Sequence, residues 1–171
     1  MSDTESAGGR LGYWFAIWAV LIAGLVWFLD GKLDQQRNPN HRPDAEVVGG
    51  ERIVRLQRNR AGQYHVLATV NDEPVEFLVD TGASGVILPA DFAEREGLPK
   101  GQVFQTYTAN GIGRAYETEI QSLVIGSIQL GPMRAAVAEN MPGGYGLLGM
   151  TALRQLDFSQ RDGELILRQA F

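Results

Sequence analysis

The chain contains no cysteine in 171 residues, so a disulfide framework, a thiolate metal site and a thiol nucleophile are all excluded. Histidine is almost as scarce. His41 and His65 are the only two, which leaves almost no material for a multi-histidine zinc site or a serine triad, and no metal or other cofactor is expected. Positive charge is also short: 15 Lys and Arg stand against 20 Asp and Glu, for a net charge of -5. With a pI near 5.0 this is no nucleic-acid footprint, and no DNA or RNA partner is expected. Only 7 prolines accompany 21 glycines, a balance that favours many tight turns over a disordered or collagen-like chain. The length excludes a barrel of eight βα units and a catalytic domain with a full partner domain.

What is present first is an uncharged run from Leu11 to Leu29, bounded by Arg10 and Asp30. As a helix it would reach roughly 28 Å, close to the thickness of the hydrocarbon layer of a bilayer. Tyr13, Trp14 and Phe15 gather at one end and Trp27 and Phe28 at the other, where amphipathic rings favour the headgroup region. A cleaved signal peptide would need a basic leader and a small-residue cleavage site, and a buried core helix is the other bland reading. The run is read as a retained membrane anchor, preceded by a tail at residues 1–10. Residues 30–50 are polar, carry two prolines and show no apolar periodicity, so they read as a flexible tether in which His41 is solvated. The folded domain is then residues 51–171.

Beyond the tether, short alternating segments separated by turn residues predict an all-β domain. Tyr64–Val70 and Val75–Val79 flank a turn and should pair as a hairpin, with His65 half-exposed on its strand. Gly85–Pro89 reads as a strand, followed by one or two helical turns that stop at Gly97. Two strands surround Asn110 and Gly111, a dipeptide suited to a tight hairpin. Three short strands follow, between Ser122 and Asn140. A short helix presents Met150, Leu153 and Leu156 on one side, and a last hairpin turns at Asp162 and Gly163.

The string that carries chemistry is VEFLVDTGASGVILP, residues 75–89. A hydrophobic strand runs directly into Asp80, then Thr81, Gly82, Ala83 and Ser84, then a second hydrophobic strand. A carboxylate held at such a strand end can have its protonation tuned by burial and by nearby N–H and hydroxyl groups. Read blandly, the same Asp forms a turn by bonding to backbone N–H groups nearby. The DTGAS string, preceded by Leu78 and Val79, resembles the signature of the retropepsin-like aspartic peptidases. Two further elements occur in that family's order: a flap candidate at Asn110, Gly111, Ile112 and Gly113, and Leu147, Leu148 and Gly149 before a short helix. The resemblance covers about residues 60–168, and with the apolar run ahead of it the layout looks like the bacterial, membrane-anchored, single-domain group. It implies a closed β-barrel of the acid protease type, a single lobe with one or two short helices. It also implies Asp80 as the catalytic residue and Thr81 to Ser84 as loop support, with Thr81 bonding across to an opposite loop. Leu147, Leu148 and Gly149 would pack behind the aspartate loop. From the residues alone, 110–113 serve equally as an ordinary exposed hairpin.

Hydrolysis of this kind needs two carboxylates, one ionised to take a proton from water and one protonated to donate to the scissile carbonyl. The chain has a single Asp-Thr-Gly, and Asp91, Asp157 and Asp162 lack the surrounding pattern. The second Asp80 must therefore come from another copy in a twofold homodimer acting on a peptide or protein. The competing classes are a non-catalytic dimerisation or peptide-binding module and a membrane-tethered structural subunit. For orientation, Arg10 precedes the span and Lys32, Arg37 and Arg42 follow it, which taken alone leaves the domain in the cytoplasm. The resemblance implies the opposite, a single-pass protein of the bacterial inner membrane with a periplasmic peptidase domain, and that placement is the expectation adopted.

Overall fold

The computed structural model of the chain describes residues 6–108, 111–141 and 143–171, with side chains described for 14–28, 36–106, 111–141 and 143–171. It divides into two compact units, Met1–Gln36 and Arg37–Phe171. The first is dominated by α1 (Ser6–Arg37), a helix that takes in the whole apolar run. From Trp14 to Phe28 its large apolar side chains are exposed around most of the helix, Val20 at 72% and Trp27 at 80%. Among the described residues no helix is long and apolar enough to cross a membrane. The expected span 11–29 opens at 11–13 and closes at 29, whose side chains lie outside the described residues.

The second unit is built from two sheets. The smaller is antiparallel, in the order β1 (Asp44–Val48), β2 (Glu51–Gln57), β13 (Glu164–Ala170), β12 (Asp157–Arg161). The larger has nine strands. Its order is β6 (Val103–Thr108), β7 (Gly111–Ile120), β10 (Met133–Ala138), β5 (Val86–Pro89), β11 (Gly146–Leu148), β4 (Glu73–Val79), β3 (His65–Val70), β8 (Leu123–Ile125), β9 (Ile128–Leu130). Two helices complete the unit, α2 (Ala90–Arg95) and α3 (Met150–Leu153). Alternation drives the layering. Val54 and Leu56 on β2 and Leu165 and Leu167 on β13 turn inward and join Val66, Phe77, Leu88, Ile125, Ile128 and Leu148 in one apolar core. The tight turns fall where short polar residues tolerate positive φ: Asn71 and Asp72 (50° and 72°) between β3 and β4, and Asp162 (51°) before Gly163.

The hairpins, both short helices and the stop at Gly97 stand where the sequence predicts them. Three expectations change. Among the described residues the sheets do not close into a barrel: β6 and β9 end the larger sheet as β1 and β12 end the smaller. The stretch read as a tether divides between the end of α1 and β1, and the β unit starts at Arg37 rather than at Glu51. Asn40 explains how this polar stretch is held. Its Nδ2 donates to the carbonyls of Gln57 (2.9 Å) and His65 (2.7 Å), and its Oδ1 accepts from Gln57 N at 2.7 Å. His65 is buried, at 2% exposure, rather than half-exposed, because Glu76 and Tyr145 cover its ring.

Candidate active site

The aspartate loop owes its form to the strand beside it. β11 is inserted between β4 and β5, parallel to β4 (Leu147↔Leu78, Leu148↔Val79) and antiparallel to β5 (Leu147↔Ile87). The chain leaving β4 at Val79 must therefore pass around the end of β11 before returning as β5, and residues 80–85 form that passage. Asp80 N donates to Leu148 O at 3.1 Å, Ala83 N to Asp80 O at 3.2 Å, and Met150 N to Ala83 O at 2.9 Å. The Thr151 hydroxyl donates to Ser84 O at 3.2 Å. The loop is thus tied at three points to the segment 148–151.

Gly149 is required by that tie. A Cβ there would lie 2.6 Å from Ala83 O and closer still to Gly85 O, so the two stretches of backbone could not approach as they do. Leu148 is fully buried behind the loop. Leu147, its neighbour, points to the opposite face and lines a cavity rather than packing behind the aspartate.

Asp80 is half-buried, and its Oδ1 accepts a hydrogen bond from Gly82 N at 2.8 Å. The turn-type bond foreseen from the sequence is therefore present, and it aims the carboxylate from a fixed loop. Ala83 is buried, whereas Thr81, Gly82 and Ser84 are exposed on the single chain. Asp80 and Thr81 border a cavity of about 480 Å³ whose other walls include Gln63, Tyr64, Leu153, Phe158 and Leu167. Asp80 is the one carboxylate among the described residues lining it.

The flap candidate is the β6–β7 hairpin. Asn110 lies outside the described residues. Gly111, Ile112 and Gly113 open β7, and Ile112 is 69% exposed, a large apolar side chain with little protein over it. These three residues line a second cavity, about 350 Å³, with Ile87, Thr106, Met141, Tyr145 and Leu147. Within one chain the aspartate and the hairpin border different cavities. The loop residues Met141 and Tyr145 were not singled out from the sequence. A polar Gly-rich stretch before Leu147 was the only signal for them. Among the described residues no cluster of His, Asp and Glu could hold a metal ion.

Comparison with known proteins gives this geometry a family. The profile described as "gag-polyprotein putative aspartyl protease" matches residues 66–155. An uncharacterized protein of a Sinorhizobium species is 36% identical over 123 residues, covering 70% of this chain and 53% of its own length. The chain thus spans about half of that relative. An uncharacterized protein of Rickettsia prowazekii (strain Madrid E) is 30% identical over 173 residues, covering 92% of this chain and 69% of its own length. Among solved structures, a retropepsin-like aspartic protease from Rickettsia conorii superposes with a TM-score of 0.56 at 28% identity. The match covers 75% of this chain and 96% of that one.

Proposed function

The chain belongs to the gag-polyprotein aspartyl protease family, with a retropepsin-like fold, and on that premise we propose that it is an aspartic endopeptidase whose active site forms from two copies. The observation that carries this reading is a single half-buried Asp80 on a rigid loop, with Thr81, Gly82 and Ser84 left exposed beside it. Across a twofold axis the two Asp80 side chains face one another and share one proton, since like charges so close do not both ionise. The ionised member takes a proton from water while the protonated member donates to the carbonyl oxygen of the scissile bond. The tetrahedral intermediate then collapses as the amide nitrogen is protonated and the C–N bond breaks. The exposed β6–β7 hairpin covers the peptide from above, with Ile112 as its apolar contact. Thr81 braces the opposite loop, and Ser84 and Gly82 support their own.

The apolar exterior of α1 supports a membrane anchor, because a helix apolar over most of its circumference is unstable in water without a cover. We place the β unit in the periplasm, against the small excess of basic residues after the helix. The test of function is proteolysis of a peptide library by the full chain and by its Asp80→Asn variant. The variant should fold as the parent does and lose roughly a hundredfold to ten-thousandfold in turnover, the range expected for removal of an acid–base carboxylate. Equal turnover in the two would remove Asp80 from the reaction, and no turnover by the parent would leave a non-catalytic peptide-binding module as the better reading.

A further inference from the structure

Arg37, where α1 ends and the β unit begins, reaches the loop that walls the hairpin-side cavity. Its Nη2 donates to Gly143 O at 2.5 Å, and its guanidinium carbon stands 4.9 Å from the centre of the Tyr145 ring. Its Nε lies 3.8 Å from Glu76 Oε1. That same carboxylate oxygen is 2.7 Å from Nδ1 of the buried His65, whose ring meets Tyr145 edge-on at 4.8 Å and 75°. Tyr145 is therefore gripped by a cation and by an imidazole edge that share one carboxylate, and the ring also lines the cavity with Ile87, Ile112 and Leu147.

Both sides of the grip are anchored. Arg37 O accepts from Asn59 Nδ2 at 2.9 Å, and His65 O accepts from Asn40 Nδ2 at 2.7 Å. Gly143 has φ +92°, and a Cβ there would run into the Tyr145 ring, so the loop backbone lies directly against it. A half-exposed ion pair such as Arg37–Glu76 contributes little alone. Here the guanidinium also donates to a loop carbonyl and stacks on the ring, and neither a lysine nor a neutral side chain can reproduce that combination.

We propose that Arg37 is a positioning residue for peptide recognition. With Glu76 and His65 it fixes Gly143 and Tyr145 as one wall of the cavity, and it sets peptide affinity from the junction of helix and β unit without touching the peptide. This rests on the protease reading above, in which the β6–β7 hairpin that borders this cavity covers the peptide. The test uses the full chain in detergent, with Asp80→Asn to prevent turnover, and a peptide selected by binding from a random library. Two quantities are read: hydrogen exchange at amides 143–147 and peptide Kd by fluorescence anisotropy. Arg37→Ala should raise exchange about tenfold and weaken the peptide about tenfold. Arg37→Lys should recover part of both. With Asp80 intact, Arg37→Ala should raise KM and leave kcat within about twofold. Unchanged exchange or unchanged affinity in Arg37→Ala overturns the proposal even if Asp80-dependent cleavage is intact. Arg37-dependent shifts in a chain that cleaves no peptide would instead remove the protease reading and leave this one standing.

Discussion

Asp80 is a carboxylate whose position depends more on its neighbours' backbone than on its own side chain. The DTGAS string made it legible, since few arrangements hold an acid at a strand end with a glycine two residues on. What the string did not carry is the partner segment 148–151, whose carbonyl, N–H and hydroxyl fix the loop. Gly149 is where the two meet. Gly149→Ala forces its Cβ against the backbone oxygens of Ala83 and Gly85. Such overpacking costs about 1–3 kcal/mol, read as a lower denaturant midpoint at unchanged slope, and it should reduce proteolysis by displacing Asp80. Gly131→Ala is the control: a Cβ there meets nothing within 4 Å, and the change should stay within about 0.5 kcal/mol. His65 and Tyr145 were not legible in the same way. Alternation along β3 puts Val66, Ala68 and Val70 in the core, but the cover over His65 comes from Glu76 on the paired strand and from Tyr145, far away in sequence.

The elements read most easily were those whose period and turn agree locally. The β3–β4 and β12–β13 hairpins each combine alternation with a dipeptide at positive φ, and both form. The β1–β2 hairpin carries a comparable signal, Gly49 and Gly50 at φ 62° and 86°, between strands whose charged residues mask the alternation. Val54 and Leu56 are its only fully buried side chains, and Asp44, Glu46 and Arg55 pair on the outer face. A polar composition there records an exposed face, not a disordered tether. Element α1 poses the opposite case, a helix whose large apolar side chains are exposed. The full chain should sediment with membranes and be released by detergent but not by high salt or carbonate, while deletion of residues 11–29 should leave it soluble. A carboxy-terminal alkaline phosphatase fusion should be active if the β unit is periplasmic. Activity of a cytoplasmic reporter instead would make the basic-residue count the better guide.

At the scale of the whole molecule, two sheets around one core place a lone Asp80 and an exposed Thr81 at the edge of one cavity. The barrel expected from the resemblance requires pairing between the edge strands of a sheet, β6 and β9 in the larger, and such closure has no local signature in sequence. The dimer is equally silent in composition, and its support is chemical: one carboxylate per chain for a reaction that uses two. A membrane anchor would raise the local concentration of β units and favour their pairing. The most direct measurement is a mixing experiment at a concentration where the wild-type chain has reached its full specific activity. Chains are exchanged to equilibrium with a ninefold excess of Asp80→Asn, and cleavage of a library peptide is followed. If both carboxylates are needed, random pairing leaves activity at about one tenth of that of the same wild-type chains alone. Undiminished activity would contradict the account, because a single Asp80 would then suffice.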